Sequence, residues 1–128
     1  MSYVTDHFIV SEFDCRDLTP YPEHLIESCL LPLCESLEAI RAVIQKPIII
    51  VSGYRTEKHN RAMGGSRNSQ HLQGKAADIM VDGMSGFELA KIVKRLISDK
   101  KIICGGVGEY SHFCHYDIRC KNARWRGK

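Results

Sequence analysis

His71, Asp78 and His115 are of the residue types that hold a catalytic zinc ion. Zn²⁺ takes imidazole nitrogen or carboxylate oxygen at ~2.0–2.2 Å, and a catalytic ion keeps three protein ligands and one position for water. His71 and Asp78 lie in Ser-Gln-His-Leu-Gln-Gly-Lys-Ala-Ala-Asp, residues 69–78, and His115 opens His-Tyr-Asp, residues 115–117. Gly74 between His71 and Asp78 argues for a loop entering a strand, with a tight turn that folds His71 back. Ala76 then shares a strand face with Asp78, and its small side chain leaves room for a metal. Ser69 and Gln70 are expected to orient a ligand or substrate. His115 and Asp117, two apart on a strand, point to the same side, so one can bind metal while the other handles a proton.

The elements that must position these residues are legible from periodicity. Apolar residues from Leu25 through Leu33, Leu37 and Ile40 to Ile44 follow helical spacing. Pro32 must kink that helix or divide it into two pieces meeting near Leu31. Ile48 to Val51 is a β-branched run expected to form a strand buried on both faces. A short helix is expected near Thr56 to Met63, followed by a loop through Gly64-Gly65-Ser66, and Ala76 to Val81 reads as a second strand. Ser85 with Glu88 three residues on is a capping box opening a helix that ends at Lys100-Lys101. Ile102 to Cys104, Val107 to Tyr110 and Phe113 to Arg119 read as short strands. The opening segment to about Pro22 reads as a short strand and an irregular stretch. Helices followed by strands, without βαβ repetition, argue an α+β fold with a small antiparallel sheet packed against helices.

The 128 residues suit one domain, residues 1–128, with a single core. No apolar run is long enough to span a bilayer. The N-terminus lacks the basic and apolar segments of a secretory signal, so the chain is expected to begin in the cytosol. The six cysteines have irregular spacing and no Cys-x-x-Cys motif, which favours free thiols over disulfides. Net charge is +3, and Lys121, Arg124, Arg126 and Lys128 surround Trp125 in a basic tail read as solvated. A nucleic-acid-binding protein would rest on that tail alone, and nucleic acid is not an expected partner.

Six histidines make chance pairings easy, but Ser-x-His-x-x-Gly-x-Ala-x-Asp fixes five positions at once. With Ser11-Glu12-Phe13, Leu31-Pro32, Ser52-Gly53-Tyr54-Arg55, Gly64-Gly65-Ser66 and Phe113 to Arg119 in order, the chain resembles the zinc D-Ala-D-Ala carboxypeptidases and their relatives. These are peptidoglycan LD- and DD-peptidases that share a metal core with vancomycin-resistance dipeptidases and the hedgehog domain. The resemblance implies the hedgehog/DD-peptidase zinc-core fold, one Zn²⁺ per chain on His71, Asp78 and His115, and Arg55 gripping a substrate carboxylate or oxyanion. Tyr54, Ser69 and Gln70 would join Arg55 in substrate binding. Many relatives place an acid three residues before the last histidine ligand, where this chain has His112, so Asp117 and His112 both stand as candidates for the proton relay. Asp117 could instead orient a histidine or pair with Arg119. The implied activity is a metallopeptidase, carboxypeptidase or endopeptidase, acting as a monomer on cell-wall peptidoglycan peptides. Small size and lack of a signal fit a phage or prophage lysis enzyme (an endolysin) that leaves the cytosol by another route. A catalytically inactive zinc-containing binding module of the same fold is the alternative.

Overall fold

The computed structural model describes residues 2–127. A two-stranded antiparallel ribbon, β1 (Tyr3–Thr5) and β2 (Phe8–Ile9), opens the chain. A 3₁₀ turn at Glu23–Leu25 and a π-helical turn at Ile26–Leu30 lead without a break into α1 (Leu31–Ile44). Pro32 therefore starts a helix instead of kinking one. Pro32 lies where the π turn hands over to α1, and the wider π turn accommodates its ring and its missing N–H.

The remaining elements are β3 (Ile49–Ser52), α2 (Glu57–Ala62), β4 (Ala76–Met80), α3 (Gly86–Ser98), β5 (Gly106–Glu109), β6 (Cys114–Asp117) and β7 (Ala123–Arg126). Thr56 caps α2 by accepting the His59 N–H, and Ser85 with Glu88 forms the expected capping box on α3. The helices and one sheet face enclose a core that includes Phe13, Leu33, Leu37, Ile79, Leu89, Val93 and Tyr116. No helix among the described residues is long and apolar enough to cross a membrane. All six cysteines are thiols, with Cys15, Cys29, Cys34 and Cys114 buried and Cys120 exposed.

The larger sheet has strand order β3-β4-β6-β5-β7, and it differs from expectation in three ways. First, it is mixed, because β7 runs parallel to β5 while the other pairs are antiparallel. The tail read as solvated is thus an edge strand, with Ala123 and Trp125 half-buried and Arg124 and Arg126 exposed; Lys128 lies outside the described residues. Second, β3 is the opposite edge and is buried on one face: Ile48 and Ile50 enter the core while Ile49 and Val51 are 42% and 40% exposed. Arg16 covers this edge by donating to the carbonyls of Ile50 (2.8 Å) and Val51 (3.2 Å), which blunts a template for strand addition. Third, Ile102 to Cys104 is not a strand. Its backbone groups are taken by Ser36 Oγ, which accepts the Ile103 N–H, and by the Cys120 N–H, which donates to the Cys104 carbonyl.

Candidate metal centre and its cleft

Register alone brings the principal side chains together. Ser52 on β3 is opposite Asp78 on β4, Asp78 opposite His115 on β6, His115 opposite Gly108 on β5, and Gly108 beside Trp125 on β7. One row therefore crosses all five strands on the face away from the helical core. Gly108 is the gap in that row: a Cβ there would meet the Trp125 indole at 2.6 Å from Cε2. Without it, the indole lies across β5 to within 4.9 Å of the His115 ring, centroid to centroid, and donates from Nε1 to the Tyr110 hydroxyl at 2.8 Å.

His71 arrives from a 3₁₀ turn, Gln70–Gln73, capped by Ser69 and ended by Gly74 at φ 72°. That left-handed residue makes the sharp return expected from its sequence position, and the Tyr21 hydroxyl holds it by donating to the Gly74 carbonyl at 2.7 Å. The His71 and His115 rings then meet edge to face with centroids 5.1 Å apart.

The hydrogen bonds identify which ring nitrogens face the centre. His71 Nδ1 lies 2.7 Å from the Gly53 carbonyl, which can only accept, so Nδ1 carries a proton and Nε2 points inward. His115 Nε2 lies 2.7 Å from Asp117 Oδ2, so Nε2 carries a proton and Nδ1 points inward. Both inward nitrogens converge on Asp78 Oδ1, at 3.2 Å from His71 Nε2 and 3.1 Å from His115 Nδ1. Two imidazole lone pairs and a carboxylate oxygen repel one another unless a positive charge lies among them. Either both rings are imidazolium or one cation takes all three donors. His71, Asp78 and His115 each offer one ligand atom within 4.8 Å of the others, the donor set of a catalytic zinc site.

The electrostatics follow from these contacts. Burial pushes the Asp78 carboxyl up, but hydrogen bonds from His115 and His71 and their charge outweigh it and hold the group below the usual carboxylate range. Asp117, completely buried, is opposed by burial in the same way and held down by His115, by Arg119 and by the Gly106 N–H. Burial opposes the charge on His115, yet Asp117 and Asp78 together raise its pKa above the ordinary histidine value.

Arg55 lies at the same centre. Its guanidinium donates to Asp78 Oδ2, Asn60 Oδ1 and Ser52 Oγ, each at 3.1 Å. Three of five N–H groups are engaged, leaving one on each terminal nitrogen for an anion. Arg55, Ser69, Gln70, His71, Asp78 and His115 all line a cleft of about 600 Å³, a size suited to a small ligand or a peptide segment. Tyr110, Phe113, Arg119 and Trp125 form another part of its wall.

Three expected site residues are not on that wall. Tyr54 packs against the core and meets Tyr21 edge to face at 6.0 Å. His112 is exposed in the turn before β6. Asp117 does share a strand face with His115, as its spacing implies, but it lies behind the ring. Its carboxylate accepts from His115 Nε2, the Gly106 N–H, and the backbone and guanidinium of Arg119. That is the geometry of a group that orients a histidine and fixes its tautomer. Sequence reasoning missed Trp125, Tyr110 and Asn60 as parts of the site. The alternation of Arg124, Trp125 and Arg126 was a strand signal, whereas nothing local marks Asn60 as the partner of Arg55.

Comparison with known proteins identifies the family. The peptidoglycan L,D-endopeptidase MepK of Escherichia coli strain K12 is 35% identical over 80 residues, covering 57% of this chain and 41% of that protein. The MepK proteins of Escherichia coli O157:H7 and Shigella flexneri match to the same extent. The chain thus spans about two fifths of the length of these relatives. The Peptidase M15 profile matches residues 6–117, which include the whole donor set, and the chain belongs to the Peptidase M15 family.

Proposed function

We propose that the chain is a single-domain zinc peptidase that hydrolyses peptide bonds in peptidoglycan, with one Zn²⁺ held by His71 Nε2, the Asp78 carboxylate and His115 Nδ1. The observation that carries this reading is the convergence of two inward imidazole lone pairs on Asp78 Oδ1. The family and the L,D-endopeptidase activity named for the MepK relatives support the substrate class and favour endopeptidase over carboxypeptidase action.

When bound, the metal supplies Lewis acidity to a water and to the scissile carbonyl. The protein groups bind and orient. The two uncommitted N–H groups of Arg55 donate to a substrate carboxylate or to the oxygen that gains charge during attack. Asp117 keeps the His115 proton on Nε2 and so keeps Nδ1 available. Trp125, with Tyr110 and Phe113, offers an apolar wall for the peptide.

One observation favours a second reading, a zinc-containing binding module. Among the described residues lining the cleft, Asp78 is the only carboxylate, so no free acid faces the centre to relay a proton. Digestion of purified peptidoglycan followed by mass analysis of the muropeptides separates the two. Zinc-dependent appearance of cleaved cross-links or stems supports the enzyme. A folded, zinc-loaded protein that retains muropeptides without cutting any would leave the binding module.

A further inference from the structure

A second group of metal-ligating side chains lies outside the centre described above. Cys15, Asp17 and His59 each present one ligand atom within 4.8 Å of the other two. Cys15 and Asp17 come from a tight turn in the opening segment, closed by the Cys15 N–H donating to the Thr19 carbonyl and the Leu18 N–H donating to the Cys15 carbonyl, each at 2.9 Å. Leu18 takes φ 77° to make that turn, so two donors two residues apart face one side. His59 comes from α2, more than forty residues later.

We infer that Cys15, Asp17 and His59 form a second divalent-cation site, of thiolate–carboxylate–imidazole type and suited to Zn²⁺. Donor chemistry selects the metal class. A thiolate with an imidazole favours zinc over the oxygen-seeking magnesium and calcium, and three protein donors leave one position for water. The span is also right: Zn–N and Zn–S bonds of ~2.0–2.3 Å put tetrahedral donors roughly 3.3–3.8 Å apart, so the closure required is at most about 1.5 Å.

Two further observations point to a ligand. The ring nitrogens of half-buried His59 have no hydrogen-bond partner among the described residues, although the rest of the cluster is tied down. Asp17 is already oriented as an outer shell would orient it: Thr56 Oγ1 donates to Oδ2 at 2.8 Å and the Thr19 N–H donates to Oδ1 at 2.9 Å. The Thr19 hydroxyl and the Cys15 thiol hydrogen-bond to the same carboxylate, and loss of the thiol proton on metal binding would free an oxygen lone pair beside the sulfur. The same Thr56 hydroxyl lies 4.0 Å from Cys15 Sγ and accepts the His59 N–H, so one residue braces all three ligands.

The location gives the site a role. Thr56 follows Arg55, and His59 precedes the Asn60 that accepts from Arg55 Nη1. A cation here clamps the opening segment to the short helix that fixes the Arg55 fork. It lies beside the cleft and has no ligand in common with His71, Asp78 and His115.

Cobalt substitution tests the assignment without reference to activity. Thiolate bound to Co²⁺ gives a strong near-ultraviolet charge-transfer absorption that an Asp–His₂ centre lacks. The metal-free protein titrated with Co²⁺ under reducing conditions is expected to develop this band, to keep it in His71→Ala, and to lose it in Cys15→Ser. Equilibrium dialysis is expected to show two equivalents bound by the wild type and one by His59→Ala. His59 is not buried, so this variant serves if Cys15→Ser fails to fold by circular dichroism. Absence of the band in the wild type, its persistence in Cys15→Ser, or two equivalents retained by His59→Ala overturns the proposal. Loss of the band in His71→Ala would likewise overturn it, because the thiolate site would then not be independent of the other centre.

Discussion

Asp117→Asn changes one atom of a completely buried side chain, and its expected effect is on metal affinity. The carboxylate accepts on both oxygens. Oδ1 takes the Gly106 N–H (2.9 Å), the Arg119 N–H (3.1 Å) and Arg119 Nε (2.9 Å), while Oδ2 takes Arg119 Nη2 (2.8 Å) and His115 Nε2 (2.7 Å). An asparagine can keep its oxygen on the first, more crowded side. Its amide then faces two donors on the other. Relief comes when His115 moves its proton from Nε2 to Nδ1, which lets Nε2 accept from the amide. Nδ1 is the atom aimed at Asp78 Oδ1, so the tautomer that satisfies asparagine removes a proposed metal ligand. Losing such an orienting partner costs ~10–100-fold in metal affinity, or about 1.4–2.8 kcal/mol. The metal-free protein loses charge-assisted bonds worth ~1.5–3 kcal/mol each, discounted because Arg119 is partly solvated, so a destabilisation of roughly 2–4 kcal/mol is expected. Competition against a chromophoric chelator gives the affinity, and urea denaturation of the metal-free form gives the stability. Zinc binding within threefold of wild type, with turnover abolished, would refute this reasoning and return Asp117 to its place beside His112 as a candidate for the proton relay.

Gly108→Ala is expected to expel the indole from β5 and cost roughly 1–3 kcal/mol; Trp125 is the only tryptophan, so its fluorescence maximum should shift to the red, and an unchanged spectrum would contradict the packing. Ser85→Ala removes the side-chain half of the α3 capping box and should cost ~0.5–2 kcal/mol in thermal denaturation, with the cleft unaffected. Cys34 and Cys114 are held neutral by burial, with nearby carboxylates adding to the rise in pKa. Because their folded pKa values exceed the unfolded value of about 8.5, the stability they contribute is intact below that pH and falls above it, by up to 1.36 kcal/mol per pH unit for each thiol. Urea midpoints at pH 8 and pH 10 measure the fall, and equal midpoints would show that neither thiol is insulated from solvent. For the same reason, thiol reagents at neutral pH should modify exposed Cys120 and spare Cys34 and Cys114.

Much of the architecture was legible because local chemistry and tertiary role agree. Ser85 and Glu88 announce α3, Thr56 announces α2, and Gly74 announces the return that brings His71 to β4. The disagreements fall where neighbours decide. Ile48 to Val51 looks like a central strand by composition, but burial on both faces depends on strand order, and β3 lies at an edge. Ile102 to Cys104 has strand-forming residues whose hydrogen bonds go to Ser36 and Cys120. The basic residues around Trp125 read as a solvated tail, yet Gly108 opens a place for the indole that the tail's own sequence does not reveal.

At the centre, sequence alone determined the donor types: two histidines and an aspartate, in order, with a glycine turn between the first pair. The spacing of His115 and Asp117 also fixed that they share a strand face. Tertiary structure decided what each atom does. The Gly53 carbonyl sets the tautomer of His71 and Asp117 sets that of His115, so the inward atoms are Nε2 in one ring and Nδ1 in the other. Strand register likewise puts His115 between Asp78 and Asp117, which turns a candidate acid into the group behind the ring. The physical reason is that residue type fixes which donors and acceptors exist, whereas the direction in which each one points depends on partners supplied by other strands.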